Sequence, residues 1–196
     1  MTAGKPLRAD ARRSRAALVA KAREVFDAGE FFDLRYDDFA ALAGVGTGTL
    51  YRHFPTRQDL AGAVYDQEIA ALGACAGELL AELPAGEALS AFLHGVVSHL
   101  RAHQGLARTL AALMASGAGP SSDQLAEGTR VLESAVSDLV DAAVREGAVR
   151  TDVDAGALTG AVMIVLHGIS AAHDRPGWQG QADGLVTVVL SGLRPA

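Results

Sequence analysis

The segment DFAALAGVGTGTLYRHF, from Asp38 to Phe54, constrains the fold more than any other part of the chain. Its apolar residues fall at helical intervals on either side of a glycine-containing corner. A short helix is predicted over Tyr36–Ala43, with Asp37 and Asp38 in the first turn, where carboxylates complement the helix dipole, and with Phe39 and Leu42 facing inward. Gly44 comes directly after the last apolar position, where a residue in the left-handed conformation closes a helix and turns the chain sharply. Val45 plugs the corner. A further helix then fits Thr47–His53, burying Leu50 and Phe54 four residues apart, with Pro55 beyond its end. Upstream, Leu18, Ala22, Val25 and Phe26 recur at helical spacing within Ser14–Ala28, and Gly29 supplies the stop. The expectation is three helices, the last two joined through a tight glycine turn.

With Leu50 and Phe54 committed to the core, the third helix keeps Thr47, Gly48, Thr49, Tyr51, Arg52 and His53 for its outer surface, and none is a carboxylate. A glycine inside a helix costs roughly 1 kcal/mol relative to alanine, so Gly48 needs a reason, and close approach of backbone to a nucleic-acid strand is a sufficient one. The hydroxyls and methyls of Thr47 and Thr49 suit phosphates or a thymine edge, and Arg52 reaches guanine or a phosphate. Tyr51 and His53 suit phosphate clamping.

A formal net charge of -6 argues against a polyanionic partner only if charge is averaged over the chain. It is segregated. Residues 1 to 23 carry seven lysines and arginines (Lys5, Arg8, Arg12, Arg13, Arg15, Lys21, Arg23) against Asp10, whereas residues 61 to 196 carry seven against fifteen acids. A second basic patch, Arg52, His53 and Arg57, lies in an acid-free stretch. The positive field therefore sits on the first third, where a phosphate backbone can be met.

The run AGVGTGTLYRHF, from Ala43 to Phe54, resembles the signature of the tetracycline-repressor (TetR) family, and the likeness extends over roughly Arg13 to Tyr65, taking in Phe26, Gly29, Phe39, Ala40 and the TRQDL run from Thr56 to Leu60. The resemblance implies an all-α homodimer, in which an N-terminal three-helix helix-turn-helix domain is joined through a long helix to a C-terminal helical ligand-binding and dimerisation bundle. It implies a sequence-specific regulator, a repressor released from a palindromic operator by a small molecule. Carried across position by position, it places contacts with double-stranded DNA on Thr47, Gly48, Thr49, Tyr51, Arg52, His53, Thr56 and a phosphate-facing Arg57. Two positions depart from the family pattern. Gly46 stands where a serine often caps the third helix, a change costing only about a few tenths of a kcal/mol. Arg35 stands where a threonine or serine commonly opens the second helix; it loses that cap and offers a charged phosphate contact instead.

Domains are expected at 1–57, for DNA binding with a basic N-terminal arm, and at 58–196, for effector binding and dimerisation. Beyond Arg57 the chain reads as helices over Arg57–Glu82, Glu87–His103, Leu106–Ser116, Ser122–Glu146, Asp152–Asp174 and Gln181–Leu193, with loops at 117–120 and 175–178. The helix after Thr151 is apolar nearly all round, so it is either the centre of a monomer core or buried on one side by its own domain and on the other by a second subunit. The last helix, with Leu185, Val186, Val189, Leu190 and Leu193, is its expected partner in a four-helix homodimer interface. Ala157–Ala172, the longest apolar stretch, is taken as too short to span a bilayer, and with no apolar run behind the basic N-terminus a soluble, cytoplasmic protein is expected.

Cys75, the single cysteine, excludes an internal disulfide and a cysteine-based metal cluster. His99 and His103 share a helix at a four-residue spacing, with His94 five residues earlier, which keeps open a helical-bundle metal enzyme; no HExxH pattern accompanies them, and no metal, cofactor or catalytic group is assigned. A constitutive DNA-binding protein without effector is the other alternative. The aromatic, polarizable and hydrogen-bonding residues Phe92, His94, Met114, His167 and Trp178 are nominated for an effector pocket, and the lack of a charge cluster there favours an uncharged or weakly polar ligand.

Overall fold

The computed structural model describes residues 4–172 and 175–195, with side chains from residue 9 onward; Lys5, Arg8 and Asp174 of the sequence reading lie outside the residues so described. The described residues form helices and no strands: α1 (Gly4–Ala28), α2 (Asp38–Leu42), α3 (Thr47–His53), α4 (Arg57–Glu82), α5 (Ala85–Ala102), α6 (Gln104–Ala115), α7 (Ser122–Arg145), α8 (Ala155–Ala172) and α9 (Trp178–Leu193). The all-helical expectation holds.

The boundaries that moved have local causes. α1 begins ten residues earlier than Ser14, because nothing between Leu7 and Ser14 breaks a helix and Pro6 sits in the first turn, where its missing N–H removes no helical bond. α8 begins after Asp154, whose Oδ1 accepts the Ala157 N–H at 3.0 Å, so the predicted start at Asp152 belongs instead to a loop in which Asp152 is paired with Arg150. Trp178, placed in a loop by the sequence, opens α9 behind Gly177 (φ 75°) and is buried. α2 is five residues long. Its inward face is Phe39 and Ala40, with Ala43 half-buried, and Leu42 is 46% exposed. Leu42 is therefore not a core residue: at about 100° per residue it stands roughly 110° round the helix from the middle of that arc.

Gly44 has φ 67°, and the turn closes as predicted, with the Gly44 N–H donating to the Ala41 carbonyl and the Val45 N–H to the Ala40 carbonyl at 2.9 Å. That pair of bonds swings Val45 back against the core.

The chain divides into two compact units, residues 1–67 with Gly105–Gln124, and Glu68–Gln104 with 125–196. The first has a core built on rings, with Phe26, Phe31, Phe39 and Phe54 around Leu18 and Leu50, joined by Leu106 and Leu113 of α6. The second is mainly aliphatic, with Leu89, Val97, Leu139, Val140 and Val162 around Phe92 and Trp178. At 18 residues, α8 is long and apolar enough to cross a membrane by length and composition, which corrects the expectation drawn from the shorter Ala157–Ala172 stretch. A core helix passes the same test, and α8 buries Leu158, Val162, Leu166 and Ile169 in the second unit.

Candidate nucleic-acid interface

The ring core of the first unit supports α3 from beneath. Phe26 and Phe31 meet edge to face at 4.4 Å, and Phe39 lies 5.8 Å from Phe31. The Arg57 guanidinium covers Phe31 at 4.9 Å, with Phe39 and Tyr36 at 5.9 and 6.0 Å, and donates to the carbonyls of Phe31 at 2.9 Å and Leu34 at 2.6 Å. A planar fork filling both functions at once is a property of arginine that lysine lacks. Arg57, expected to face a phosphate, is half-buried, and its guanidinium holds the loop between α1 and α2.

Tyr36 performs a matching task for the loop between α3 and α4. Its hydroxyl lies 2.7 and 2.8 Å from the carbonyls of Phe54 and Thr56 and shares its one hydrogen between them. Burial, chiefly, and the nearby Asp59 carboxylate hold the phenol far above its ordinary value. Thr56 in turn caps α4: its Oγ1 accepts the Asp59 N–H, while its own N–H and hydroxyl donate to the Asp59 carboxylate at 2.9 and 2.7 Å. At the start of α2, half of such a box survives. The Asp38 carboxylate accepts the Arg35 N–H at 2.9 Å, and Arg35, having no hydroxyl to return, is exposed.

Above this support α3 exposes Thr47, Gly48, Tyr51 and Arg52 and half-buries Thr49 and His53, while Leu50 is completely buried. Gly46 caps the helix in extended conformation without a side-chain bond, its carbonyl accepting the Thr49 and Leu50 N–H groups. A Cβ built on Gly48 would meet nothing within 4 Å, so packing within the protein does not require glycine there. The bare backbone faces open space.

Three contacts at this surface are not legible in the sequence. Arg15 of α1 lays its guanidinium over Phe54 at 5.2 Å. Tyr36, read only as a helix start, turns its ring edge-on to Tyr51 at 5.4 Å. Asp37 of the α2 approach accepts the Tyr51 hydroxyl at 2.9 Å, and this bond raises the Tyr51 phenol above its ordinary value. The turn between α2 and α3 brings Tyr36 and Asp37 to Tyr51, and the packing of α1 on α3 brings Arg15 to Phe54; no spacing in the sequence encodes either.

The five pocket nominees differ in burial and in the unit they belong to. Phe92 and Trp178 are in the second unit's core, whereas His94 and His167 are exposed and tie their Nδ1 atoms to the Ser90 and Met163 carbonyls at 2.8 Å. Met114 is 43% exposed and belongs to the first unit. Thr159 is the group that the sequence did not flag: its Oγ1 is buried on α8 and has no hydrogen-bond partner. His99 Nε2 lies 3.0 Å from the buried Glu68 carboxylate, with the His103 ring 4.8 Å from that of His99. Among the described residues, no three His, Cys, Asp or Glu side chains are arranged to hold a metal ion.

α8 and α9 carry a second unusual surface. Along α8, Ala157, Ala161, Ile164, Gly168 and Ala171 are exposed at alternating intervals of four and three, with Ile164 74% exposed; on α9, Leu185 and Val188 are exposed, Val188 at 68%. α8 contains no charged residue, and Asp183, the one acid of α9, is paired with Arg101 at 2.9 Å.

Comparison with known proteins bears on both surfaces. Residues 18–64 match the family model of bacterial regulatory proteins of the tetR family, and residues 84–195 match the C-terminal domain of SbtR-like transcriptional regulators. A TetR transcriptional regulator from Streptomyces coelicolor is 38% identical, with 93% of this chain and 99% of that one covered at a TM-score of 0.68. A TetR regulatory protein from Mycobacterium vanbaalenii is 34% identical, covering 96% and 99% at 0.69. A TetR-family regulator from Pectobacterium atrosepticum shares the fold at 23% identity, covering 95% and 97% at 0.77. No curated protein matches the chain.

Proposed function

Because the chain belongs to the TetR family of DNA-binding transcriptional regulators, we propose that it is a repressor whose homodimer occupies a palindromic operator and leaves it when a small molecule binds. The observation that carries this reading is the outer face of α3, where Thr47, Gly48, Tyr51 and Arg52 are exposed and Thr49 and His53 partly so above a ring-packed base. Thr47, Thr49 and Arg52 are assigned to base edges, with Tyr51, His53 and Arg35 assigned to phosphates and the Gly48 backbone to close approach, while Thr56, whose hydroxyl and N–H are committed to Asp59, acts through the cap of α4. Arg57 acts through the loop it clamps. Residues 1–57 take the DNA and 58–196 the effector and the partner subunit; no catalytic chemistry is assigned, and the work is done in the cytoplasm, where the operator is.

The apolar stripes on α8 and α9 support the homodimer. Exposed apolar rows with heptad-like spacing, small residues and no charge suit close packing of two helix pairs about a two-fold axis. Two recognition helices about one DNA turn apart then read a palindrome that neither reads tightly alone. For the effector, the orphaned Thr159 hydroxyl within a core holding Phe92 and Trp178 suits an uncharged, weakly polar molecule able to supply the missing hydrogen bond. The route to the DNA head is supported by α6, whose Thr109 hydroxyl donates to the Phe26 carbonyl at 2.9 Å and whose Gly105 sits so close to the Asp27 carbonyl that no Cβ fits. An effector that binds one placement of α4 and α6 better than another shifts the operator equilibrium by that difference.

Selection of genomic fragments by the purified protein tests the reading, with a palindromic operator as the expected product. Arg52→Ala is then expected to weaken the operator by about 1–3 kcal/mol and relax preference at one base pair. An unchanged preference would return Arg52 to the phosphate contacts, and selection of no sequence at all would end the proposal.

A further inference from the structure

We propose that Asp37 is a phosphate surrogate: its carboxylate occupies, in the DNA-free protein, the place of a backbone phosphate oxygen at Tyr51 and competes with DNA for that hydroxyl. The inference rests on the DNA-binding reading of α3 and concerns the regulation of that same surface.

Tyr51 is exposed yet not free to wander. Its ring is braced edge-on against Tyr36 at 5.4 Å, and Tyr36 is itself pinned through its hydroxyl to the Phe54 and Thr56 carbonyls. On that brace the Tyr51 hydroxyl donates to the Asp37 Oδ1 at 2.9 Å. An anionic carboxylate oxygen accepting a phenol hydrogen reproduces the chemistry of a phosphodiester oxygen accepting the same hydrogen. The phenol has one hydrogen to give. It therefore cannot serve Asp37 and a phosphate together, and the exposed carboxylate left behind would repel the incoming strand.

The arrangement has two opposed consequences. The hydroxyl is held pre-aimed at an anion, so little ordering is left for the moment of binding. Against that, every duplex, whatever its sequence, must displace Asp37 before it gains the Tyr51 contact. Asp37 thus acts as a brake on backbone binding, and occupancy leans on what Thr47, Thr49 and Arg52 find in the groove.

The test is a cycle of four full-length proteins: the natural chain, Asp37→Asn, Tyr51→Phe and the double variant. Each is titrated with a fluorescein-labelled mixed-sequence duplex over a range of potassium chloride concentrations. Asp37→Asn is expected to tighten binding by up to about fivefold at low salt and to steepen the salt dependence. Tyr51→Phe is expected to weaken binding, and in its background the gain from Asp37→Asn should shrink towards nothing. Alkaline absorbance titration of the free proteins supplies a readout without DNA, in which Asp37→Asn lowers one tyrosine titration that Tyr51→Phe removes. An equal gain in both backgrounds would reduce Asp37 to a general repulsive charge, and an Asp37→Asn loss matching that of Tyr51→Phe would make it only an orienting group; either overturns the proposal. If the natural chain binds no duplex, the DNA-binding reading falls as well, whereas duplex binding with an additive cycle sinks this inference alone.

Discussion

The two compact units solve the problem of burying helices in opposite ways. The first holds all three tyrosines and every phenylalanine but Phe92, and it turns polar groups inward as clamps, with Arg57 on the Phe31 and Leu34 carbonyls and Tyr36 on those of Phe54 and Thr56. The second relies on aliphatic side chains and small residues, and leaves an uncharged apolar row on α8 open to the exterior. Rings and directional bonds fix orientation, which a DNA-reading surface needs because base contacts tolerate little displacement. Aliphatic packing is less directional and tolerates repacking, which suits the effector-binding and dimerising role proposed for this unit.

The sharpest way to break this contrast is on the open row. Ile164→Asp with Val188→Asp should leave the monomer folded, since both side chains are exposed, and weaken self-association by about 4 kcal/mol, close to a thousandfold. Sedimentation velocity reads the outcome, and an unchanged dimer would mean that the row serves something else. Next in size is Arg57→Ala, expected to cost about 2–4 kcal/mol of stability through lost carbonyl bonds and ring contact, with Arg57→Lys recovering little. Calorimetry showing a melting temperature unmoved while the salt dependence of DNA binding flattens would return Arg57 to a phosphate role.

Two smaller effects sharpen the comparison. Phe31→Leu should destabilise more than Phe92→Leu by about 1–2 kcal/mol, because Phe31 meets the rings of Phe26, Phe32 and Phe39; denaturant melts that rank them equally would remove the ring argument. The least is alkaline. Since the folded-state Tyr36 phenol is raised mainly by burial, its contribution is present below the unfolded value of about 10 and declines as pH rises towards the folded one. Tyr36→Phe should cost about 1 kcal/mol at neutral pH and flatten the loss of stability above about pH 10; urea melts across that range decide it.

Legibility in the sequence followed how local each decision is. The α2–Gly44–α3 element was readable because each of its decisions is local: a left-handed glycine, a helix of one or two turns, apolar residues four apart. Leu42 is misplaced by spacing alone because a five-residue helix has too little periodicity to set its phase, and the inward contacts of Arg57 are hidden because a sequence shows a charge without showing what is beneath it. The pocket nominees were chosen by side-chain type. Their separation into buried Phe92 and Trp178 and exposed His94 and His167 depends on helix rotation, which neighbours in space decide.

By itself, the sequence determined the all-helical class, the glycine corner, the identity of the outward α3 residues and the family, since propensity, periodicity and a contiguous signature act over a few residues along the chain. Tertiary structure alone decided that Arg57 is a clamp, that Tyr36 braces Tyr51, that Asp37 holds its hydroxyl and that Thr159 is buried without a partner. Each of these depends on groups brought within about 3–6 Å by packing, and no local propensity specifies which face of one helix meets which face of another.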